Sequence, residues 1–144
     1  MEIKVIIAAH KQYPMPDKDC YLPVQVGRAL HPDVGYIPDN TGENPYYCEL
    51  TGLYWAWKNL PADVIGLVHY RRYMGKKNGI VGLIQRYRNP LGSILDGKDI
   101  EKLMKKSDII LPKRRKYYIE TLYSHYAHTH YAEHLDITRE VLKQ

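Results

Sequence analysis

The stretch NPYYCELTGLYWAWKNLPADVIGLVHYRRY, Asn44 to Tyr73, decides the fold. Asn44 can cap a helix, and Pro45 suits the first helical position, where an N–H has no intrahelical partner. Leu50, Leu53, Tyr54 and Trp57 recur at the three-four spacing of one helical face, which predicts a packing face. Trp55 points elsewhere, so the helix is expected to be covered on more than one side. Pro61 stops it, because the residue before a proline avoids the α region. Val64 to Val68 is a short apolar run with β-branched members, the pattern of a strand buried on both faces. Gly66 within it marks close packing or a bend. The composition then switches to His69, Tyr70, Arg71, Arg72 and Tyr73, at the strand's carboxyl end, where an open α/β sheet holds its ligand. That cluster is cationic and aromatic, which suits a phosphate-bearing ligand with a flat base or a sugar.

Upstream, Ile3 to Ala9 is nearly all apolar and reads as a central parallel strand, followed by the polar His10, Lys11 and Gln12. Residues 13–43 carry prolines at positions 14, 16, 23, 32 and 38 and read as an irregular segment, with one short strand expected at Val34 to Ile37. A connection of that length in a compact domain is expected to be functional. Within it, Asp39 and Asn40 sit in the turn-like PDNTG; turn chemistry and donor contact both remain open for them.

Downstream, Met74 to Asp96 is rich in Gly, Lys, Arg and Asn, with a helical turn or two expected at Val81 to Tyr87. Asp99 to Lys106 predicts an amphipathic helix with Ile100, Leu103 and Met104 inward. Ile109 to Leu111 is expected as a strand closed by Pro112 and followed by the basic run Lys113 to Lys116. The tail is expected to be helical from about Ala132. Strands alternating with helical segments imply βαβ units and a mostly parallel sheet. The clusters His10-Lys11, His69 to Tyr73 and Lys113 to Lys116 each follow an expected strand. All three are therefore expected on one edge of the sheet as a single anion-binding site.

A chain of 144 residues is one domain by size. Its 14 Tyr and 2 Trp with no Phe favour wet surfaces suited to carbohydrate or nucleotide; a compositional habit explains the same numbers. The net charge of +5 and pI near 9.1 suit an anionic partner. A nucleic-acid reading rests on charge alone, since no recognition motif accompanies it, and no nucleic acid is expected. Cys20 and Cys48 lack metal-like spacing, and a reduced, cytoplasmic protein is the simplest account. The apolar N-terminal run is too short to span a bilayer.

The strings CELT…YWAWKN and HYRRY, with YLPVQVG upstream and SHYAHTHYAEHLDITREVL downstream, resemble a family of bacterial capsular and exopolysaccharide biosynthesis proteins. Its members are described as glycosyltransferases, some linked to galactofuranosyl transfer. The resemblance implies a Rossmann-like, glycosyltransferase A type α/β fold, and a chain corresponding to an N-terminal portion of the family domain. It implies a nucleotide-sugar donor, a UDP-sugar, and a lipid-linked polysaccharide acceptor. The basic segment Met74 to Arg88 then fits a peripheral contact with the anionic inner face of the plasma membrane. Many enzymes of that type hold the donor diphosphate through a metal-binding Asp-x-Asp after a central strand. Here the corresponding place reads His69-Tyr70-Arg71-Arg72, while Asp17-Lys18-Asp19 lies elsewhere. Arg71 and Arg72 are expected to neutralise the diphosphate directly, with no metal and no cofactor required.

The donor site is expected from His10, Lys11, Asp39, Asn40, Glu49, His69, Tyr70, Arg71 and Arg72. For the arginines the alternative is a solvated pair, or ion pairing with Asp39 and Glu49; for Glu49 it is a simple helix-dipole contact. Glu133, His134 and Asp136 are candidates for the general base that takes the acceptor proton, against a solvated helix face. His130 and His134 supply only two of the ligands that zinc requires. A non-enzymatic carbohydrate- or complex-binding module is the alternative to a transferase.

Overall fold

The apolar run Ile3–Ala9 forms strand β1, and its alternating side chains supply both sides of the core. Ile3, Val5, Ile7 and Ala9 face one way, packing with Tyr21, Val68, Tyr70, Leu95 and Ile100. Ile6 faces the other, packing with Val24 and Ala56. The computed structural model describes residues 1–39, 47–76, 80–114, 116 and 118–144. The chain divides into two units, Met1–Ile110 and Leu111–Gln144.

In the first unit, β2 (Tyr21–Gln25), β3 (Ile37–Pro38) and β4 (Val64–His69) join β1 in a parallel sheet of order β3-β2-β1-β4. Helix α1 (Leu50–Asn59) covers the Ile6 face. Helix α2 spans Ile80–Arg88, and α3 (Gly97–Met104) packs Ile100 into the other face. The α/β class and parallel sheet are as the sequence implies.

Several elements differ from expectation. Strand β2 occupies a segment that its prolines mark as irregular. Val26 donates its N–H to Ala9 O, so by alternation the Pro23 nitrogen turns toward β3. There β3 pairs only Val24 and Gln25, so no ladder bond is lost. The short strand expected at Val34 to Ile37 falls instead at Ile37–Pro38. Ile109 to Leu111 is not a strand: Ile110 packs beside the core while Ile109 and Leu111 are exposed. Lys113 to Lys116 therefore follow no strand, and the strand-end argument does not apply to them.

Helix α1 ends as Pro61 dictates, with Leu60 extended and its N–H donated to Ala56 O. The cap expected from Asn44 and Pro45 lies outside the described residues. The packing face differs from the expected one: Thr51, Gly52 and Ala56 are buried, Trp55 packs against the Ile6, Val24 and Ala56 cluster, Leu53 is half-buried, and Leu50, Tyr54 and Trp57 are exposed. The helix approaches the sheet through its small residues. A Cβ on Gly52 would lie 3.1 Å from a Val26 methyl, so large side chains have no room on that side. Gly66 does the same within β4, where a Cβ would sit 3.2 Å from Val5.

The second unit holds α4 (Leu122–Thr129) and α5 (Ala132–Val141), the latter as expected. A Thr121–Ser124 capping box starts α4, and the Tyr123 hydroxyl donates to Asp136 at 3.1 Å. No helix among the described residues is long and apolar enough to cross a membrane.

Candidate functional site

The strand order creates the crevice. From β1 the chain moves outward through β2 and β3, then returns through α1 to β4 on the opposite side of β1. Connections leaving the carboxyl ends of β1 and β4 therefore diverge, which is the arrangement that opens a binding cleft in such sheets. His10 follows β1 and His69 ends β4, and the ladder pairs Ala8 with His69. Tyr70 extends that pairing by donating its N–H to Ala8 O at 3.2 Å.

Beyond His69 the chain turns sharply. Arg72 donates its N–H to His69 O at 2.8 Å, and Arg71 donates its N–H to His69 Nδ1 at 3.2 Å. The neutral ring thus carries its proton on Nε2, which faces the Glu49 carboxylate at 3.6 Å. The turn projects the Arg71 and Arg72 side chains outward. Both residues are exposed, and no carboxylate among the described residues pairs with either guanidinium.

Tyr70 is the floor of the crevice. It is buried, with His69 at 4.2 Å, His10 edge-on at 5.4 Å and Tyr13 edge-on at 5.1 Å between ring centroids. The Arg71 guanidinium stands 5.1 Å and the Lys11 ammonium 5.8 Å from its ring centroid, within cation–π range. His10 lies 5.7 Å from His31. Burial first, then His31, Lys11 and Arg71, hold the His10 pKa below its ordinary value. Burial also depresses His69; Glu49 opposes that, and Arg71 and Arg72 add to it. The result is a cationic rim around an aromatic floor, with His10 and His69 held toward the neutral form.

Of the expected donor residues, His10, Lys11, Glu49, His69, Tyr70, Arg71 and Arg72 are brought together here. Neither carboxylate takes the ion-pair role with Arg71 or Arg72. Glu49 stands before α1 with no capping bond and faces His69. Buried Asp39, at the end of β3, accepts from the N–H of Gly27 at 2.9 Å and of Arg28 at 3.4 Å, bracing the loop after β2. Gly27 takes a φ of 68° there, a conformation that favours glycine. Asn40 lies outside the described residues. Asp17 and Asp19 precede β2, at the amino end of the sheet, so they do not face the crevice.

Tyr13 and His31 are site residues that sequence reading did not single out. Both lie in the proline-rich segment, whose length marked it as functional and in which the sequence pointed to Asp39 and Asn40 instead. In the second unit, Asp136 is engaged by Tyr123, and His134 Nδ1 lies 3.5 Å from the Tyr126 hydroxyl. Glu133 is exposed. His125 and His128 both meet Glu120, at 2.6 and 3.0 Å. No metal-like group of three or more His, Cys, Asp or Glu occurs among the described residues. A cavity of about 290 Å³ lies beside β4 rather than at the rim, and its lining of Val64, Leu67, Met74, Leu95, Ile100 and Met104 is apolar. It is not an anion site.

Residues 4–144 match the family model described as a domain of unknown function, DUF4422, and the chain belongs to that family. The solved apo structure of the bifunctional glycosyltransferase WbbM is similar, with 29% sequence identity and a TM-score of 0.68. The match covers 88% of this chain and 26% of that one, so the chain spans about a quarter of that structure's length. No curated protein matches the chain. The fold is that of a glycosyltransferase-like domain.

Proposed function

We propose that the crevice binds the diphosphate of a nucleotide sugar, a UDP-sugar, as donor for extending a capsular or exopolysaccharide chain. The observation that carries this reading is the pair Arg71–Arg72, exposed at the mouth of the β1–β4 crevice with no carboxylate partner among the described residues. Guanidinium groups engage phosphate oxygens bidentately. When the bond from the sugar's anomeric carbon to the diphosphate breaks, its electron pair passes to the phosphate oxygen. Fixed cations beside that oxygen stabilise the charge as it develops. Lys11 adds a third cation, and Tyr70 supplies a rigid floor.

Thermal melting with and without uridine diphosphate tests the reading. Ligand at a hundredfold excess over Kd stabilises by about 2.7 kcal/mol, or roughly 5–10 °C for a chain of this size. Arg71→Ala is expected to remove most of that shift while leaving the unliganded melting temperature unchanged, since its side chain is exposed. Donor hydrolysis or transfer then separates a transferase from a binding module of the same crevice. A wild-type chain that uridine diphosphate does not stabilise at any accessible concentration contradicts the proposal.

A further inference from the structure

Helix α2 is mounted with its apolar side outward. At about 100° per residue, Ile80, Leu83, Ile84 and Tyr87 fall within an arc of about 100°, and Gly82 lies roughly opposite. A surface helix ordinarily turns such a stripe to the core. Here Gly82 is buried, while Ile80 is 80%, Leu83 61%, Ile84 52% and Tyr87 91% exposed. The Arg86 guanidinium reaches back to Lys76 O at 3.4 Å, on the Gly82 side, so the helix is tied down by the side away from its stripe.

Between Met74 and Leu95 the sequence has no Asp or Glu, against Lys76, Lys77, Arg86 and Arg88. Lys76 is ion-paired with Asp96 and Asp99, at 2.8 and 2.6 Å, and so adds no free charge beside the stripe. Exposed Arg88 flanks the stripe. Tyrosine at the end of the helix has the apolar body and polar tip that favour a membrane–water boundary. A nine-residue helix is too short to span a bilayer, yet it has the composition of one that lies in the interface.

We propose that α2 is an interfacial helix, seating this face of the chain on an anionic lipid bilayer. A second copy fits the face less well. Pairing two such helices would bring like charges together, and a helix about 14 Å long buries less than the roughly 800 Å² per partner of a stable interface.

Co-sedimentation of the full chain with phosphatidylglycerol-containing vesicles and with pure phosphatidylcholine vesicles tests this without any donor or acceptor. The expected result is binding to the anionic vesicles only, weakened by salt and reduced about tenfold or more by Leu83→Glu/Ile84→Glu. Both residues are exposed, so this variant should keep the wild-type circular dichroism and melting temperature. Arg88→Glu, which leaves the apolar stripe intact, should also weaken binding. Failure of the wild type to bind anionic vesicles overturns the proposal, as does undiminished binding by Leu83→Glu/Ile84→Glu. So does a wild-type dimer that the same variant converts to monomer, because the stripe would then belong to a second copy.

Discussion

His69 organises the crevice through both ring nitrogens: Nδ1 accepts the Arg71 N–H, and Nε2 faces Glu49. Protonating Nδ1 removes that acceptor and places a new charge beside two arginines. The consequence for stability has a definite sign. His10 and His69 both have folded pKa values below the ordinary 6.5, so near and below that pH the folded state binds fewer protons than the unfolded chain. Their contribution is present above about 6.5 and is lost as pH falls through the depressed values. Melting temperature should therefore drop as pH is lowered from about 7.5 to about 5, and His10→Gln/His69→Gln should flatten that part of the profile. At this scale the sequence was most readable where composition changes abruptly, as from Val68 to His69-Tyr70-Arg71-Arg72. Tyr13 and His31 were not readable, because nothing local to a proline-rich loop tells which side chains it delivers to Tyr70 and His10.

Elements were legible where periodicity and burial agree, and obscure where close packing overrides them. Strands β1 and β4 announce themselves as apolar runs. Strand β2 does not, since its Pro23 is tolerated only because β3 is two residues long. Helix α1 misleads for a related reason. Its large residues trace a tidy stripe, but Gly52 and Ala56 are what the sheet can accept at that distance. Gly66→Ala tests the same principle in β4. Its new Cβ would meet Val5 at 3.2 Å in a strand paired along its length, and the expected cost is about 1–3 kcal/mol by denaturant unfolding. Helix α3 offers a contrast, because its start is set locally. Asp96 accepts the Asp99 N–H in a capping box, and Lys76 bonds Asp96 at 2.8 Å, holding its carboxyl well below the usual carboxylate range. Asp96→Ala should cost about 1 kcal/mol, read the same way.

At the scale of the whole molecule, the order β3-β2-β1-β4 places His10 and His69 at one crevice although 59 positions separate them in sequence. The parallel sheet and that convergence followed from strands alternating with helices. The third cluster, Lys113 to Lys116, follows no strand, because Ile109 to Leu111 forms none, and the run falls in the second unit. Apolar content alone could not reveal that difference, since a short apolar run is ambiguous without a partner strand. The net charge of +5 draws anions toward the molecule, and the proposed site for them is the crevice. The central claim is that Arg71 and Arg72 hold a donor diphosphate at the carboxyl ends of β1 and β4. A crystal structure of the chain with a UDP-sugar tests it most directly. The account predicts diphosphate oxygens within hydrogen-bond distance of at least one of these guanidinium groups, above the Tyr70 ring. A diphosphate bound elsewhere, with both arginines still in solvent, would contradict it.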